Sequence, residues 1–318
     1  MSFIHDDPDF ARLLAIVARE TGVAAALVEK DYWVTHCLWA LHETGLELWL
    51  KGGTSLSKGF GLIRRFSEDL DLMVRQGTVA SLPSVSSWTS TNKGLVAARR
   101  AFYNALPGAF AIPAVKVEVD DGPQDKQARG VDLIGRYPGM LVAQLAPTMS
   151  PFVRFEIGRA RVVPFVELPL TSFVHDLLER RGQLASYADN RPRAVRCVHP
   201  LVTLLEKLDA LSRRYARETI EPDGFVRHYE DAAHVIRSLD RVPAIEQTAR
   251  ALTADMLRGR DIAALPRADE PALLLADVGR RTEVARAFER IGPMFWGDRI
   301  PLDEACATII EWIRGSIG

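Results

Sequence analysis

Two aspartates spaced two apart lie in the stretch KGGTSLSKGFGLIRRFSEDLDLMV, residues 51–74. Asp69 and Asp71 alternate with leucines, a pattern typical of a β-strand, so both carboxylates should project from one face a few ångströms apart. Unpaired charges of the same sign at that spacing repel, and a shared cation removes the repulsion. Carboxylate oxygens suit Mg²⁺, which keeps open positions for phosphate. The spacing therefore predicts a site for a divalent cation.

A glycine turn ahead of the aspartates predicts the second half of the same site. The apolar run 46–50 predicts a strand that ends at the glycine pair, and residues 55–66 predict a short helix. A helix that begins after such a turn presents backbone N–H groups to an anion. The predicted phosphate-binding residues are Gly52, Gly53, Thr54, Ser55 and Lys58. Phosphates beside a carboxylate pair predict nucleotidyl transfer, in which metal ions stabilise the attacking and leaving oxygens.

Two other phosphate-binding motifs do not fit the glycine turn. GGTSLSKG lacks the Gly-Lys-Ser/Thr order of a Walker A loop. The fingerprint of a Rossmann fold requires G-x-G-x-x-G and an acid some twenty residues later, which this stretch does not provide.

The composition indicates a globular protein of about two domains. The chain has 318 residues, a net charge of −1 and three widely spaced cysteines, which argues against a disulfide framework or a zinc site. No apolar run reaches the ~18 residues that a membrane span needs, and the acidic N-terminus does not resemble a signal peptide. We therefore expect a cytoplasmic protein without membrane contact.

The secondary-structure pattern changes near residue 165. Alternating strands are predicted at 68–74, 115–120 and 152–158, whereas amphipathic helical segments dominate the later part. This predicts an α+β fold in two domains, a mixed-sheet domain over 1–165 and a mainly helical domain over 166–318. The segment 26–41 predicts a buried helix. Asp31 on its apolar stripe indicates a buried carboxylate paired with a base, although a supporting role in a site remains open.

The sequence around the aspartates resembles the nucleotidyltransferase signature of the polymerase-β superfamily. More closely, KGGTSLSKGFGLIRRFSEDLDL resembles the AbiEii/AbiGii toxin family, which includes the mycobacterial MenT toxins. Four further motifs resemble that family in order: VEKDYWVT (28–35), FVRFEIGRAR (152–161), EKLDAL (206–211) and RHYEDAAHV (227–235). The last eighty residues carry no motif that we identify.

The resemblance implies roles for individual residues. Asp69 and Asp71 would bind the metal and Ser67 would orient them, while Gly53, Thr54 and Ser55 would hold the triphosphate. Lys207 would neutralise the triphosphate, and Asp231 would be the remaining essential acid. The sequence alone leaves structural alternatives open for both. Lys207 sits at the edge of an apolar stripe, and Asp231 follows Arg227 at the spacing of a helical ion pair.

A third metal-binding carboxylate has two candidates, Glu118 and Glu156, each on the polar side of a predicted strand. We favour Glu156, since its strand resembles the family and Arg154 and Arg159 flank it. The superfamily more often has aspartate at this place, which leaves the number of metal ions open.

The implied activity is transfer of NMP from an NTP to the 3′ end of tRNA, dependent on Mg²⁺ or Mn²⁺, which would block translation. The chain would then be the toxin of a type IV, abortive-infection toxin–antitoxin system with an AbiEi-like winged-helix antitoxin. The alternatives are a protein or small-molecule hydroxyl as acceptor, as in antibiotic adenylation, or an inactive nucleotide sensor. Residues 154–217 carry twelve Lys/Arg against seven Asp/Glu, which favours a polyanionic acceptor. The predicted phosphate contacts are Arg180, Arg181, Arg191, Arg193 and Arg213.

Overall fold

The computed structural model describes residues 1–67, 69–122, 125–145 and 149–317. Glu68, the first residue of one predicted strand, lies outside them. The chain forms two compact units that alternate along the sequence. Unit 1 contains residues 1–59, 66–160 and 167–197, and unit 2 contains residues 60–65, 161–166 and 198–318. The change in composition predicted a single boundary after residue 165.

The described strands form one mixed sheet with the order β3-β4-β5-β2-β1-β7-β6. The strands are β1 Glu47–Lys51, β2 Asp69–Arg75, β3 Lys116–Val119, β4 Gly130–Arg136, β5 Val153–Gly158, β6 Phe165–Leu168 and β7 Val195–Val198. Strand β2 runs antiparallel to β1 and parallel to β5, and β4 is antiparallel to β5. The mixed sheet and the helices together confirm the α+β prediction.

The helices are concentrated toward the C-terminal part of the chain. They are α1 Phe10–Thr21, α2 Ala25–Glu43, α3 Gly52–Thr54, α4 Lys93–Ala109, α5 Phe173–Arg180, α6 Pro200–Tyr215, α7 Arg227–Ile236, α8 Ala249–Gly259, α9 Pro271–Leu274, α10 Val278–Arg290 and α11 Leu302–Ser316. No described helix combines the length and the apolar character that crossing a membrane requires.

One face of the sheet belongs to the core of unit 1. Leu50, Leu72 and Phe155 are buried on three neighbouring strands, and α2 contacts β1 and β5. Because side chains alternate along a strand, the opposite face receives the polar residues of β2 and β5. In unit 2, the core forms where α7 packs against α6 and α11, and it includes the buried Tyr229.

The prediction of a helix over 55–66 is wrong in the bounds of that helix. The helical turn begins earlier, at Gly52, and continues as a wide π-helical turn over Ser55–Gly59. The following residues leave the helical path, since Gly61 has a φ of 63°, in the left-handed region.

Candidate active site

Strand pairing places three acidic residues in a row across the sheet. Asp71 on β2 lies opposite Glu156 on β5, and Glu156 lies opposite Asp132 on β4. Asp69 projects from the same face of β2, two residues before Asp71. We call Asp69, Asp71, Glu156 and Asp132 the acid row. Asp132 was missed in the sequence because its strand shows only a weak alternating pattern.

The other candidate for a third carboxylate lies elsewhere. Glu118 is on β3 and is separated from β2 by β4 and β5. It accepts a hydrogen bond of 2.6 Å from Arg136 Nε, and Lys116 Nζ lies 3.0 Å from its carboxylate. Its two basic partners thus compensate its charge at the edge of the sheet, whereas Glu156 is next to Asp71.

Burial, together with the neighbouring carboxylates, raises the pKa of Glu156 to about 8. Burial is the largest cause, and the negative charges of Asp71, Asp69 and Asp132 follow. A hydrogen bond between Glu156 and Asp71 holds the proton in the row. Burial likewise raises the pKa of Asp132. The row therefore has an excess of negative charge, which either a proton or a bound cation would relieve.

These carboxylates fit a cation that is brought in with a nucleotide. Among the described residues, no three His, Cys, Asp or Glu side chains are arranged as a ready-made metal site. Mg²⁺ is usually bound by one or two protein carboxylates together with water and substrate phosphates, so such a cage is not required. The neighbouring carboxylates of the acid row can supply the one or two protein ligands that Mg²⁺ needs.

Gly52 creates the space that Asp71 occupies. Its φ is 68°, and a Cβ atom added there would lie 1.7 Å from Asp71 Oδ2. We predicted that the glycine pair allows a ligand to approach the backbone; the structure shows that Gly52 allows the Asp71 carboxylate to approach it. The neighbouring Gly53 is buried in the same turn.

The two hydroxyl residues of the turn face the protein interior. Thr54 is fully buried, and its Oγ1 donates a hydrogen bond of 2.7 Å to the carbonyl oxygen of Asp69. The same Oγ1 lies 3.4 Å from the carbonyl oxygen of Ser67, a half-buried residue. Ser55 is also buried, beside the Cys197 thiol. Thr54 therefore anchors the start of β2, and both hydroxyls are withdrawn from solvent.

Lys58 forms an ion pair with Asp31 within unit 1. Asp31 also accepts a hydrogen bond of 3.0 Å from the backbone N–H of Phe173. The sequence indicated a buried carboxylate paired with a base, and this is confirmed. The contact ties the helical turn to α2 and to the start of α5.

Arg154 supplies positive charge at one end of the acid row. It lies opposite Asp69 in the register of β2 and β5, with Nε 3.9 Å from Asp69 Oδ1. Its guanidinium donates to Asp120, lies 3.9 Å from Asp132 and packs 5.4 Å from the ring centroid of Phe152. The sequence showed only that an arginine flanks Glu156, because these partners lie on other strands.

A cavity of about 570 Å³ opens beside the acid row in unit 1. Its acidic lining residues are Asp71, Asp120, Asp125, Asp132 and Glu156, and its basic ones are Lys51, Arg154 and Arg159. Acids thus outnumber bases in the described part of the wall. Such a wall attracts cations, either metal ions or a positively charged acceptor.

Lys207 and Asp231 meet in a buried cluster of unit 2. Lys207 Nζ lies 2.8 Å from Asp231 Oδ2. Arg65 grips the same carboxylate at two points, with Nε 2.8 Å from Oδ1 and a terminal nitrogen 2.8 Å from Oδ2. The sequence reasoning brought Lys207 and Asp231 together but missed Arg65, for which the Arg-Arg pair before the aspartates was the available signal. The sequence also offered an ion pair of Asp231 with Arg227, but Arg65 and Lys207 already compensate the buried carboxylate.

Charge compensation keeps Asp231 ionised. Burial by itself would raise the pKa of this carboxyl, but Arg65 and Lys207 outweigh burial and hold the pKa far below its usual range. Burial also lowers the pKa of Lys207, and Asp231 opposes that change. An acid that two cations hold in this way does not exchange protons near neutral pH.

The five arginines predicted to contact phosphate all have carboxylate partners. Arg180 and Arg181 pair with Glu20, Arg191 pairs with Asp189 and Glu179, Arg193 pairs with Asp189, and Arg213 pairs with Asp209. The positive charge counted along residues 154–217 is thus largely compensated by acids from inside and outside that segment. A count of charged residues along a segment does not show which of them pair in the folded protein.

The mixed sheet, the acidic strand β2 and the glycine turn before it define a nucleotidyltransferase domain followed by a helical region. The family profile of "Nucleotidyl transferase AbiEii toxin, Type IV TA system" matches residues 37–295. The chain therefore belongs to the AbiEii family of nucleotidyltransferase toxins. The match begins after the motif at 28–35 and includes most of the last eighty residues, where we identified no motif. A search of curated proteins found no match.

Proposed function

We propose that this chain transfers NMP from an NTP to the 3′ end of tRNA in a reaction that needs Mg²⁺ or Mn²⁺. The observation that carries the proposal is the acid row, in which Asp71 lies opposite Glu156 beside the glycine turn. Membership of the AbiEii family supports the transferase activity and a toxin role with an antitoxin partner. We propose a winged-helix AbiEi-like protein as that antitoxin, and the cytoplasm as the place of action.

The proposed transfer forms one bond to the α-phosphorus and breaks another. The hydroxyl oxygen of the acceptor attacks the α-phosphorus and its proton passes to solvent, while the bond to the bridging oxygen breaks and pyrophosphate leaves with that electron pair. A divalent cation held by Asp69 and Asp71 would supply charge neutralisation for these oxygens. Thr54 keeps Asp69 in place through the hydrogen bond to its carbonyl oxygen, and Gly52 leaves room for Asp71. Glu156, whose pKa burial and the neighbouring acids raise to about 8, holds a proton at neutral pH in the metal-free protein.

The remaining predicted residues have different roles in this proposal. Lys207 belongs to a cluster with two cations and supports neutralisation of the triphosphate, as the family resemblance implies. The hydroxyls of Thr54 and Ser55 are buried, so in this proposal backbone N–H groups of the turn replace them as phosphate ligands. Lys58 serves the turn through its ion pair with Asp31.

The acidic cavity favours a second candidate, nucleotidyl transfer to a small molecule that carries both a hydroxyl group and positive charge. Five acids against three bases line the described wall, and the predicted phosphate-binding arginines are already paired. An amine-bearing antibiotic alcohol has the complementary charge.

Labelled transfer separates the two candidates. The protein is incubated with Mg²⁺ and each α-³²P-labelled NTP, either with total tRNA or with an amine-bearing antibiotic. Products are resolved on a denaturing gel and by thin-layer chromatography. We expect label on tRNA with the wild type and none with Asp71→Asn. Glu118→Gln removes a carboxylate of the same sheet outside the acid row and should retain transfer. Label on the small molecule alone would replace tRNA as the acceptor.

A further inference from the structure

The residue that precedes the glycine turn extends the line of charges across the sheet by one strand. Lys51 is the last residue of β1 and lies opposite Asp71 in the antiparallel pairing of β1 with β2. The register therefore runs from Lys51 through Asp71 and Glu156 to Asp132 on four neighbouring strands. Residues opposite each other on an antiparallel pair project from the same face, with Cβ atoms roughly 5 Å apart. A lysine thus stands next to the Asp71 carboxylate on the face of the acid row.

Lys51 is also part of the wall of the cavity in unit 1, together with Asp71, Glu156 and Asp132. The residue is half-buried, and a lysine in such a position packs its stem against protein while its ammonium remains accessible to a ligand. A molecule bound in this cavity can therefore reach both the lysine and the carboxylates beside it.

The described bases of the wall come from two different strands. Arg154 lies on β5, where it donates to Asp120 and lies 3.9 Å from Asp132, and Arg159 directly follows β5. Lys51 instead belongs to β1, the strand that leads into the glycine turn. It is therefore the described base of the wall that lies on the side of the turn.

The lysines already considered for phosphate binding have carboxylate partners elsewhere. Lys58 pairs with Asp31 and is not part of the described cavity wall. Lys207 pairs with Asp231 in the cluster of unit 2. A cation on the cavity wall of unit 1 must therefore come from another residue, and Lys51 occupies the required side.

We propose that Lys51 binds a non-bridging phosphate oxygen of the triphosphate, next to the divalent cation that Asp69 and Asp71 would hold. A metal-bound triphosphate carries positive charge at the cation and negative charge at the adjacent phosphate oxygens. Asp71 and Lys51, side by side on β2 and β1, present the opposite signs in the same order. An ammonium donates strong hydrogen bonds to phosphate oxygens. That these oxygens belong to an NTP rests on the proposed function.

The position of Lys51 beside Asp71 predicts opposite effects on two kinds of ligand. Removing the ammonium takes a charged hydrogen-bond donor away from a phosphate, so a polyphosphate should bind more weakly. It also removes a positive charge from the neighbourhood of Asp71, so a divalent cation without phosphate should be repelled less. A residue that only maintained the shape of the site would, when replaced, weaken the binding of both ligands.

Two calorimetric titrations measure these effects without catalysis. The dissociation constants of inorganic tripolyphosphate, with Mg²⁺ in excess, and of Mn²⁺ alone are determined for the wild type, Lys51→Met, Lys51→Gln and the control Lys116→Met. Lys116 is an exposed lysine on β3 of the same sheet and lies outside the described cavity wall. Circular dichroism and thermal melting establish that each variant is folded.

Lys51→Met should bind tripolyphosphate about tenfold more weakly, as expected for the loss of one charge-assisted hydrogen bond, and Mn²⁺ about two- to threefold more tightly. The control should stay within about twofold of the wild type for both ligands. Unchanged affinity for tripolyphosphate in folded Lys51→Met, or weaker binding of both ligands, would overturn the inference. If Lys51→Met does not fold, the same criteria apply to Lys51→Gln. A wild type that binds no tripolyphosphate also overturns it.

Filter binding and labelled transfer separate this inference from its alternatives. Weaker binding of tRNA by Lys51→Met, with unchanged affinity for tripolyphosphate, would place Lys51 at the acceptor and overturn the inference. Transfer of label that depends on Asp71, combined with normal tripolyphosphate binding by Lys51→Met, would overturn the inference and leave the proposed function standing. Opposite effects on the two ligands without any labelled product would support the phosphate contact and overturn the proposed function.

Discussion

Replacement of Gly52 by alanine tests whether transfer requires the Asp71 carboxylate to lie close to the backbone of residue 52. The new Cβ would lie 1.7 Å from Asp71 Oδ2, whereas real Cβ contacts under 3.0 Å essentially do not occur. The carboxylate oxygen must therefore move by more than about 1 Å, and a displacement of that size costs on the order of 100-fold in rate. The φ of 68° adds strain of about 1–2 kcal/mol, because an L-residue rarely adopts it.

Gly22 provides the matched control for this variant. It lies in the same unit with a φ of 72°, and a Cβ atom there would meet no atom within 4 Å. Gly22→Ala should therefore show the same backbone strain, about 1–2 kcal/mol less free energy of unfolding, with unchanged transfer.

The comparison uses initial rates of labelled NMP transfer together with urea unfolding curves for both variants. We expect a loss of stability in both variants, larger for Gly52→Ala because its Cβ also displaces Asp71, and a rate that falls about 100-fold for Gly52→Ala alone. Equal rates for the two variants would refute the reasoning, since Asp71 would then tolerate displacement from the position that Gly52 permits.

Four further changes test the acid row, the cluster of unit 2 and the acceptor. Asp71→Ala should reduce transfer at least about 100-fold with the fold retained by circular dichroism, and near-native transfer would remove Asp71 from the chemistry. Because burial and neighbouring acids raise the pKa of Glu156, the metal-free protein should lose stability as the pH rises from about 4.5 to about 8; Glu156→Gln should flatten that slope in denaturant unfolding measured across this range, and an unchanged slope would contradict the assignment. Asp231→Ala should lower the free energy of unfolding by about 3–5 kcal/mol, because Lys207 loses its carboxylate inside the protein, and a loss below about 1 kcal/mol would show that water enters the cluster. The double variant Arg191→Ala/Arg193→Ala should leave tRNA affinity and its salt slope unchanged in filter binding, since both side chains pair with Asp189, and a slope flatter by about two would restore them to the footprint.

Local patterns predicted the elements that carry the site. Alternation over 68–74 and 152–158 predicted β2 and β5, and the apolar segment 26–41 predicted α2. These elements are determined by neighbours in sequence, since side-chain period and burial are local properties. The α+β class followed from them. Strands β4, β6 and β7 were not predicted, because they are short or carry glycine and charge at positions where alternation would be visible.

Pairing across strands and helices was not accessible from local patterns. The choice between Glu118 and Glu156 depends on which strand lies beside β2. The sequence by itself gives neither the order of the strands nor the register in which they pair. The same limit explains the arginines of residues 154–217. Arg180 and Arg181 find Glu20, about 160 residues away, and a charge count over a segment includes neither that partner nor its distance.

Arg65 shows how a residue inside a recognised motif can still be misassigned. The sequence draws attention to the acids that follow it on β2, and an arginine next to another arginine indicates an exposed basic face. Arg64 is exposed as that pattern indicates, whereas Arg65 is buried and grips Asp231, 166 positions further on. A buried arginine requires a carboxylate, and Arg65 shares this carboxylate with Lys207. The electrostatics of this cluster therefore depend on a contact that no local pattern predicts, because Arg65 keeps Asp231 ionised and at the same time lowers the pKa of Lys207.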